Sequence, residues 1–278
     1  MYTTKIKRFL RRFNFIRRFK REEINLINLY NRIFILIKKN DKKSLCIELE
    51  KYIESLNFKK NRFSIEEKVL IKNTLKIIFK ENKIKNIKIK NESSVIRIIS
   101  LSGFGYSGTG AIHDFLRDFR DTFDVLNGRE LDLFKYDYSL YNLYLKSFSK
   151  NKKISEHDIN KFLFNHFLGL PYPGGVTPDE INNRLVGSKS LLNAILRLPR
   201  GKERTILVRD ICLFAIHIFY LKNMEDQKNN LEIISQNLIN NIGKYYKQKY
   251  PTKKHLILNN WIPANIINMV NLLPEEST

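Results

Sequence analysis

Apolar positions follow two different rhythms along the chain. From residue 22 to 80 they recur at helical spacing. Ile24, Ile27, Tyr30, Ile33, Phe34 and Ile37 mark one helix and Leu45 to Leu56 a second. Ser64-Ile-Glu-Glu67 reads as a capping box opening a third, because the serine and glutamate side chains can each satisfy the other residue's backbone N–H. Lys83 to Lys90 alternates lysine and isoleucine, as an exposed connector or edge strand does. The rhythm then changes. Val95, Ile96, Ile98 and Ile99 form a short β-branched run suited to a buried strand, and Gly103, Gly105, Gly108 and Gly110 crowd into the eight residues 103–110. Ala111, Ile112, Phe115, Leu116 and Phe119 return to helical spacing, and Phe123 to Leu126 reads as a second strand. Strand, glycine loop and helix in that order predict an α/β fold, with a helical N-terminal region over residues 1–90 and an α/β domain over 91–278.

The glycine loop carries the first candidate chemistry. The opening amides of a helix have no intrahelical partner and sit at the positive end of the dipole, so an anion can rest on several donors at once. Ser107 and Thr109 add hydroxyl donors there. The alternative is an ordinary tight connection, which needs one glycine rather than four. A nucleotide P-loop can be laid on Gly103 and Gly108, but Thr109 then stands at its lysine position and Gly110 at its hydroxyl position, which argues against an ordinary ATPase or GTPase. The dinucleotide pattern fits as Gly103-Phe-Gly105-Tyr-Ser-Gly108. Its ribose-binding acid is displaced, because the second strand ends at Asn127 and Glu130 lies beyond. An NAD(P)-binding oxidoreductase of Rossmann type therefore stays open as a second reading.

Ser107-Gly108-Thr109, after an apolar strand and before a helix, resembles the 5′-phosphosulfate loop of bacterial polysaccharide-type sulfotransferases. The segment from His255 through Asn259-Asn260-Trp261-Ile262-Pro263 to Pro274 is similar to a second segment of that family, in which a strand, a proline turn and a short helix precede the 3′-phosphate-binding strand. The resemblance implies a P-loop-like three-layer fold with a parallel sheet core. It implies transfer of a sulfuryl group from 3′-phosphoadenosine 5′-phosphosulfate, as co-substrate and without a metal, to a hydroxyl of a surface glycan or lipid-linked acceptor. Gly105, Tyr106, Ser107, Gly108, Thr109 and Gly110 would hold the phosphosulfate. The family places a basic residue before S-G-T to stabilise the bridging oxygen of the leaving phosphate, and this chain has Tyr106. Its arginine-bearing strand would follow soon after Leu273, which reads as a truncation or a transfer of that role. Thr205-Ile-Leu-Val-Arg209-Asp210 is similar to such a strand, which makes Arg209 a substitute contact for the 3′-phosphate; the alternative places Arg209 at the start of the apolar helix Ile211 to Leu221.

Two further residues are candidates for catalysis. Glu130 follows the second strand, where side chains of an open sheet face the ligand crevice, and can act as general base on an acceptor hydroxyl; the alternative is a solvated turn with Arg129. His113 lies one turn into the helix after the loop. The remaining histidines and the two cysteines, Cys46 and Cys212, show no metal-ligand spacing.

Charge alters the picture at one place. The chain of 278 residues has a formal charge of +22, spread mostly along helices in a Lys-, Asn- and Ile-rich composition, and no nucleic-acid-binding motif accompanies it. Residues 1–21 are different: they hold nine cations and no acid, with Ile6, Phe9, Leu10, Phe13 and Ile16 at helical spacing. Such a segment either lies on an anionic membrane surface or packs on the protein with its arginines in water. It lacks the apolar core of a signal peptide, and the chain has no 18-residue apolar run. The expected location is cytoplasmic, peripheral on the inner membrane face. A non-catalytic membrane-associated assembly protein remains a third reading.

Overall fold

The structure, a computed structural model, describes residues 28–56, 62–80, 89, 97–102, 109–119, 121–124, 139–148, 153–170, 190–252, 254–260 and 272–273. The chain divides into two compact units, Met1–Ser55 and Leu56–Thr278. The sequence places the boundary near residue 90; the helix Ile65–Phe79 moves it, because it packs along the helix Lys202–Tyr220 of the second unit.

In the first unit, helix α1 (28–38) and helix α2 (Lys42–Ser55) form a hairpin around a tight turn in which Asn40 takes a positive φ of 53°. Asp41 Oδ1 accepts the Ser44 N–H at 3.0 Å and so caps α2.

The second unit runs α3 (Ile65–Phe79), β1 (Arg97–Ser102), α4 (Thr109–Arg117), β2 (Thr122–Asp124), α5 (Leu140–Ser147) and α6 (Glu156–Phe162). It continues with α7 (Leu191–Ile195), α8 (Lys202–Tyr220), α9 (Gln227–Lys249) and β3 (His255–Asn260). The capping box at Ser64 and Glu67 forms as the sequence predicts.

Helix α8 is the hub of the helical body, packing against α3, α6, α7 and α9. Leu207, Val208, Ile211, Cys212, Ala215 and Ile218 repeat at three- and four-residue spacing and are buried, together with Phe214 and Phe219 on its other sides. A helix buried on several faces draws its stability from tertiary packing. After α6 the chain widens into a π-helix, Leu163–Leu168, closed by Gly169 at φ 78°, a left-handed conformation that favours glycine. Phe162, fully buried, stacks on His166 at 5.3 Å and meets the edge of Phe214 at 6.0 Å. Tyr144 is fully buried and donates to Glu232 Oε1 at 2.5 Å.

The expected three-layer parallel-sheet core is corrected by these findings. Among the described residues the sheet has three short strands in the order β1-β3-β2, all parallel, and one helix, α4, packs along all three. The buried apolar residues belong mainly to α3 and α5 through α9. The reason is visible in the long interval between β2 and β3: its described residues form helices rather than further strands.

His217, on α8, is half-buried, and that burial holds its imidazole below the ordinary value. The unfolded chain therefore takes up the proton first as pH falls. The contribution to stability is complete above the unfolded value, about 6.5, and is lost on acidification below it. Denaturation curves at pH 7.5 and 5.5 should show this loss, and His217→Gln should make it smaller.

Candidate functional site

β1 and β3 lie side by side in parallel, with a register running from Arg97 opposite His255 to Ser102 opposite Asn260. The glycine loop leaves β1 after Ser102, and the Asn-Trp-Ile-Pro turn leaves β3 from Asn260. The two segments singled out in the sequence, about 150 residues apart, therefore depart from one edge of the sheet, at the carboxyl ends of adjacent strands. Ligands of open parallel sheets bind outside those ends.

The opposite end of β3 is anchored. The Asp121 carbonyl accepts the N–H groups of Lys254 at 2.7 Å and His255 at 3.0 Å, and His255 Nε2 lies 3.6 Å from Asp121 Oδ2. Thr122 Oγ1 donates to the carbonyls of Leu116 and Phe119, closing the end of α4 onto β2. These bonds fix α4, β2 and β3 to one another. Beyond β3, Ser235 Oγ of α9 donates to the Leu272 carbonyl at 2.7 Å, tying the returning chain to the helical body.

Thr109 and Gly110 are the first two residues of α4, so the helix begins where the S-G-T tripeptide ends. Its own first turn holds no acidic residue. His113 is on the same helix, one turn in. Gly105, Tyr106, Ser107, Gly108 and Glu130 lie outside the described residues.

Arg209 requires a correction. It stands in the middle of α8 and is not on a strand; its Nε is 3.5 Å from Asp210 Oδ1, and its side chain is largely exposed. The four-residue apolar run before it resembles a strand in isolation. Extended from Leu207 to Ile218, the same run has helical period, and burial on both sides of α8 decides the outcome. The reason for assigning Arg209 to the 3′-phosphate, its place at the end of a strand, is thereby removed.

Sequence reasoning gave no role to Ser102, Asn259 or Asn260, which the strand register brings to the loop edge. Nothing in a single sequence says which distant strands pair. Among the described residues no group of three or more His, Cys, Asp or Glu is placed to hold a metal ion, and no helix is long and apolar enough to cross a membrane. Comparison with protein-family models, with characterised proteins and with solved structures finds no match to this chain.

Proposed function

We propose that the chain is a sulfotransferase that moves a sulfuryl group from 3′-phosphoadenosine 5′-phosphosulfate to a hydroxyl of a surface glycan or lipid-linked acceptor. The observation that supports this reading is the in-register pairing of β1 with β3, whose carboxyl ends lead in sequence into the S-G-T and Asn-Trp-Ile-Pro segments. Both stretches of resemblance follow strands that end on the same side of the sheet.

In this reaction the acceptor oxygen attacks sulfur while the bond from sulfur to the bridging phosphate oxygen breaks. The electron pair of that bond leaves with 3′-phosphoadenosine 5′-phosphate. The amides from Gly105 to Gly110, with the Ser107 and Thr109 hydroxyls, stabilise the charge gathering on the departing phosphate, the largest contribution such a loop can make. The Tyr106 phenol donates one hydrogen bond at the bridging oxygen in place of a cation. Glu130 takes the proton from the acceptor hydroxyl. His113, one turn into the helix, is the second candidate for a direct part in the transfer. The cationic segment 1–21 holds the enzyme at the cytoplasmic face of a membrane, where lipid-linked glycans are assembled.

Isothermal titration of the full chain with 3′-phosphoadenosine 5′-phosphate tests the reading. Saturable binding that Gly108→Val abolishes is expected, since a branched side chain there keeps a phosphate off the amides. Absence of binding overturns it, and tight binding of NADH instead supports the oxidoreductase.

A further inference from the structure

The first unit carries a surface that the proposed chemistry does not use. Between α1 and α2 lies a cavity of about 350 Å³ lined by Ile35, Leu36 and Ile47, with Arg32, Ser44 and Glu48 at its margin. The helices run antiparallel, as the Arg32–Glu48 ion pair at 3.2 Å and the Tyr30–Tyr52 ring contact at 6.4 Å require. Ile35 and Ile47 are each 49% exposed, and Phe34 beside them is 37% exposed. Isolated exposed apolar residues are ordinary, whereas two isoleucines facing each other across an apolar hollow form a patch.

The charges around that patch are ordered. Ile35 is bracketed one turn on either side by Arg32 and Lys39, and Ile47 by Lys43 and Lys51; all four cations are exposed. Lys38 Nζ sits 4.4 Å from the centre of the Phe34 ring. Glu48, the acid at the cavity, is neutralised by Arg32 at 3.2 Å and Lys51 at 2.6 Å. Asp41 is engaged as a cap, Glu50 stands one turn from Ile47 between two exposed lysines of α2, Lys43 and Lys51, and Glu54 lies farther along the helix. Between residues 28 and 55 six basic residues face four acidic ones, and the nine cations of residues 5–21 precede them on the same unit.

We infer that the α1–α2 hairpin is a docking surface for an anionic lipid bilayer. Cation, isoleucine, cation on each helix fits the boundary between headgroups and acyl chains. The two isoleucines enter the apolar layer, and lysine stems lie along it while their ammonium groups reach phosphates. The hollow between Ile35, Leu36 and Ile47 admits an acyl segment. A nucleic acid supplies the anions but nothing for the isoleucines to enter.

This inference is independent of sulfuryl transfer, so the nucleotide titration does not bear on it. The test is co-sedimentation of the full chain with phosphatidylglycerol-containing vesicles and with neutral phosphatidylcholine vesicles. Two backgrounds separate the hairpin from its leader: the natural sequence, and a chain whose nine basic residues from Lys5 to Arg21 are glutamine. In both, Ile35→Ser with Ile47→Ser, and separately Lys39→Glu with Lys43→Glu, should lower partitioning to anionic vesicles about tenfold or more, at about 1 kcal/mol for each basic residue near such a surface. All four sites are exposed, so circular dichroism should show unchanged folding. Equal binding to neutral vesicles, or hairpin variants that sediment like their parent in both backgrounds, overturns the inference; the second result leaves segment 1–21 as the sole membrane contact.

Discussion

Replacing Arg204 with alanine should cost the Leu56–Thr278 unit roughly 3–5 kcal/mol, read as a shift of the urea midpoint at constant slope. Arg204 is fully buried, and its guanidinium is shared among four acceptors. Nε donates to Glu67 Oε1 at 2.9 Å and Nη2 to Glu67 Oε2 at 2.7 Å. Nη1 donates to the Leu198 carbonyl at 3.1 Å and Nη2 also to the Arg62 carbonyl at 3.0 Å. Truncation leaves the Glu67 carboxylate, 1% exposed, without its cation. It also loosens the capping box, because Glu67 Oε2 accepts the Ser64 N–H at 2.7 Å. The burden falls on the unpaired charge rather than on lost attraction, so Arg204→Met combined with Glu67→Met should recover much of the deficit. A single variant within about 1 kcal/mol of the parent would show that the carboxylate finds water or protonates easily.

The second large effect concerns the loop. Tyr106→Lys should raise the rate of sulfuryl transfer about 10²-fold if the proposed chemistry holds, because removing one donor from a preorganised anion site in other enzymes costs 10²- to 10³-fold. Lysine brings a positive charge to the bridging oxygen, where the phenol brings only a hydrogen bond. The gain should appear in kcat, with little change in the affinity for 3′-phosphoadenosine 5′-phosphate, since that charge develops as the sulfuryl group departs. Single-turnover transfer from labelled donor to an acceptor glycan measures it. An unchanged or lower rate would mean that Tyr106 does not stand beside the bridging oxygen.

The local signals of the sequence translate well into local structure. The Ser64–Glu67 capping box, the strand before the glycine loop, the helix starting at Thr109 and the strand at Phe123 depend on neighbours within a few residues, and each forms where periodicity predicts. Arg209 fails for the converse reason: Thr205 to Val208 has strand character taken alone, and only the burial of α8 by four other helices makes it helical. The scale of the sheet was illegible on the same grounds, since an apolar run cannot declare whether strands or helices will surround it. At the site, the register that pairs Ser102 with Asn260 and the salt bridge joining Glu67 to Arg204 both cross more than a hundred residues, a range over which one sequence without its relatives carries no signal.

The central place of β3 between β1 and β2 imposes an order on assembly. When the ribosome has made the first two strands, neither has a neighbour to bond with, and some 130 residues of helix-rich chain must still emerge before the third arrives. The backbone amides and carbonyls of β1 and β2 must meanwhile stay with water, so closure of the sheet is a late step dominated by contacts distant in sequence. A nascent chain halted at Tyr250 should hold a protease-resistant helical portion while its glycine loop is still cut.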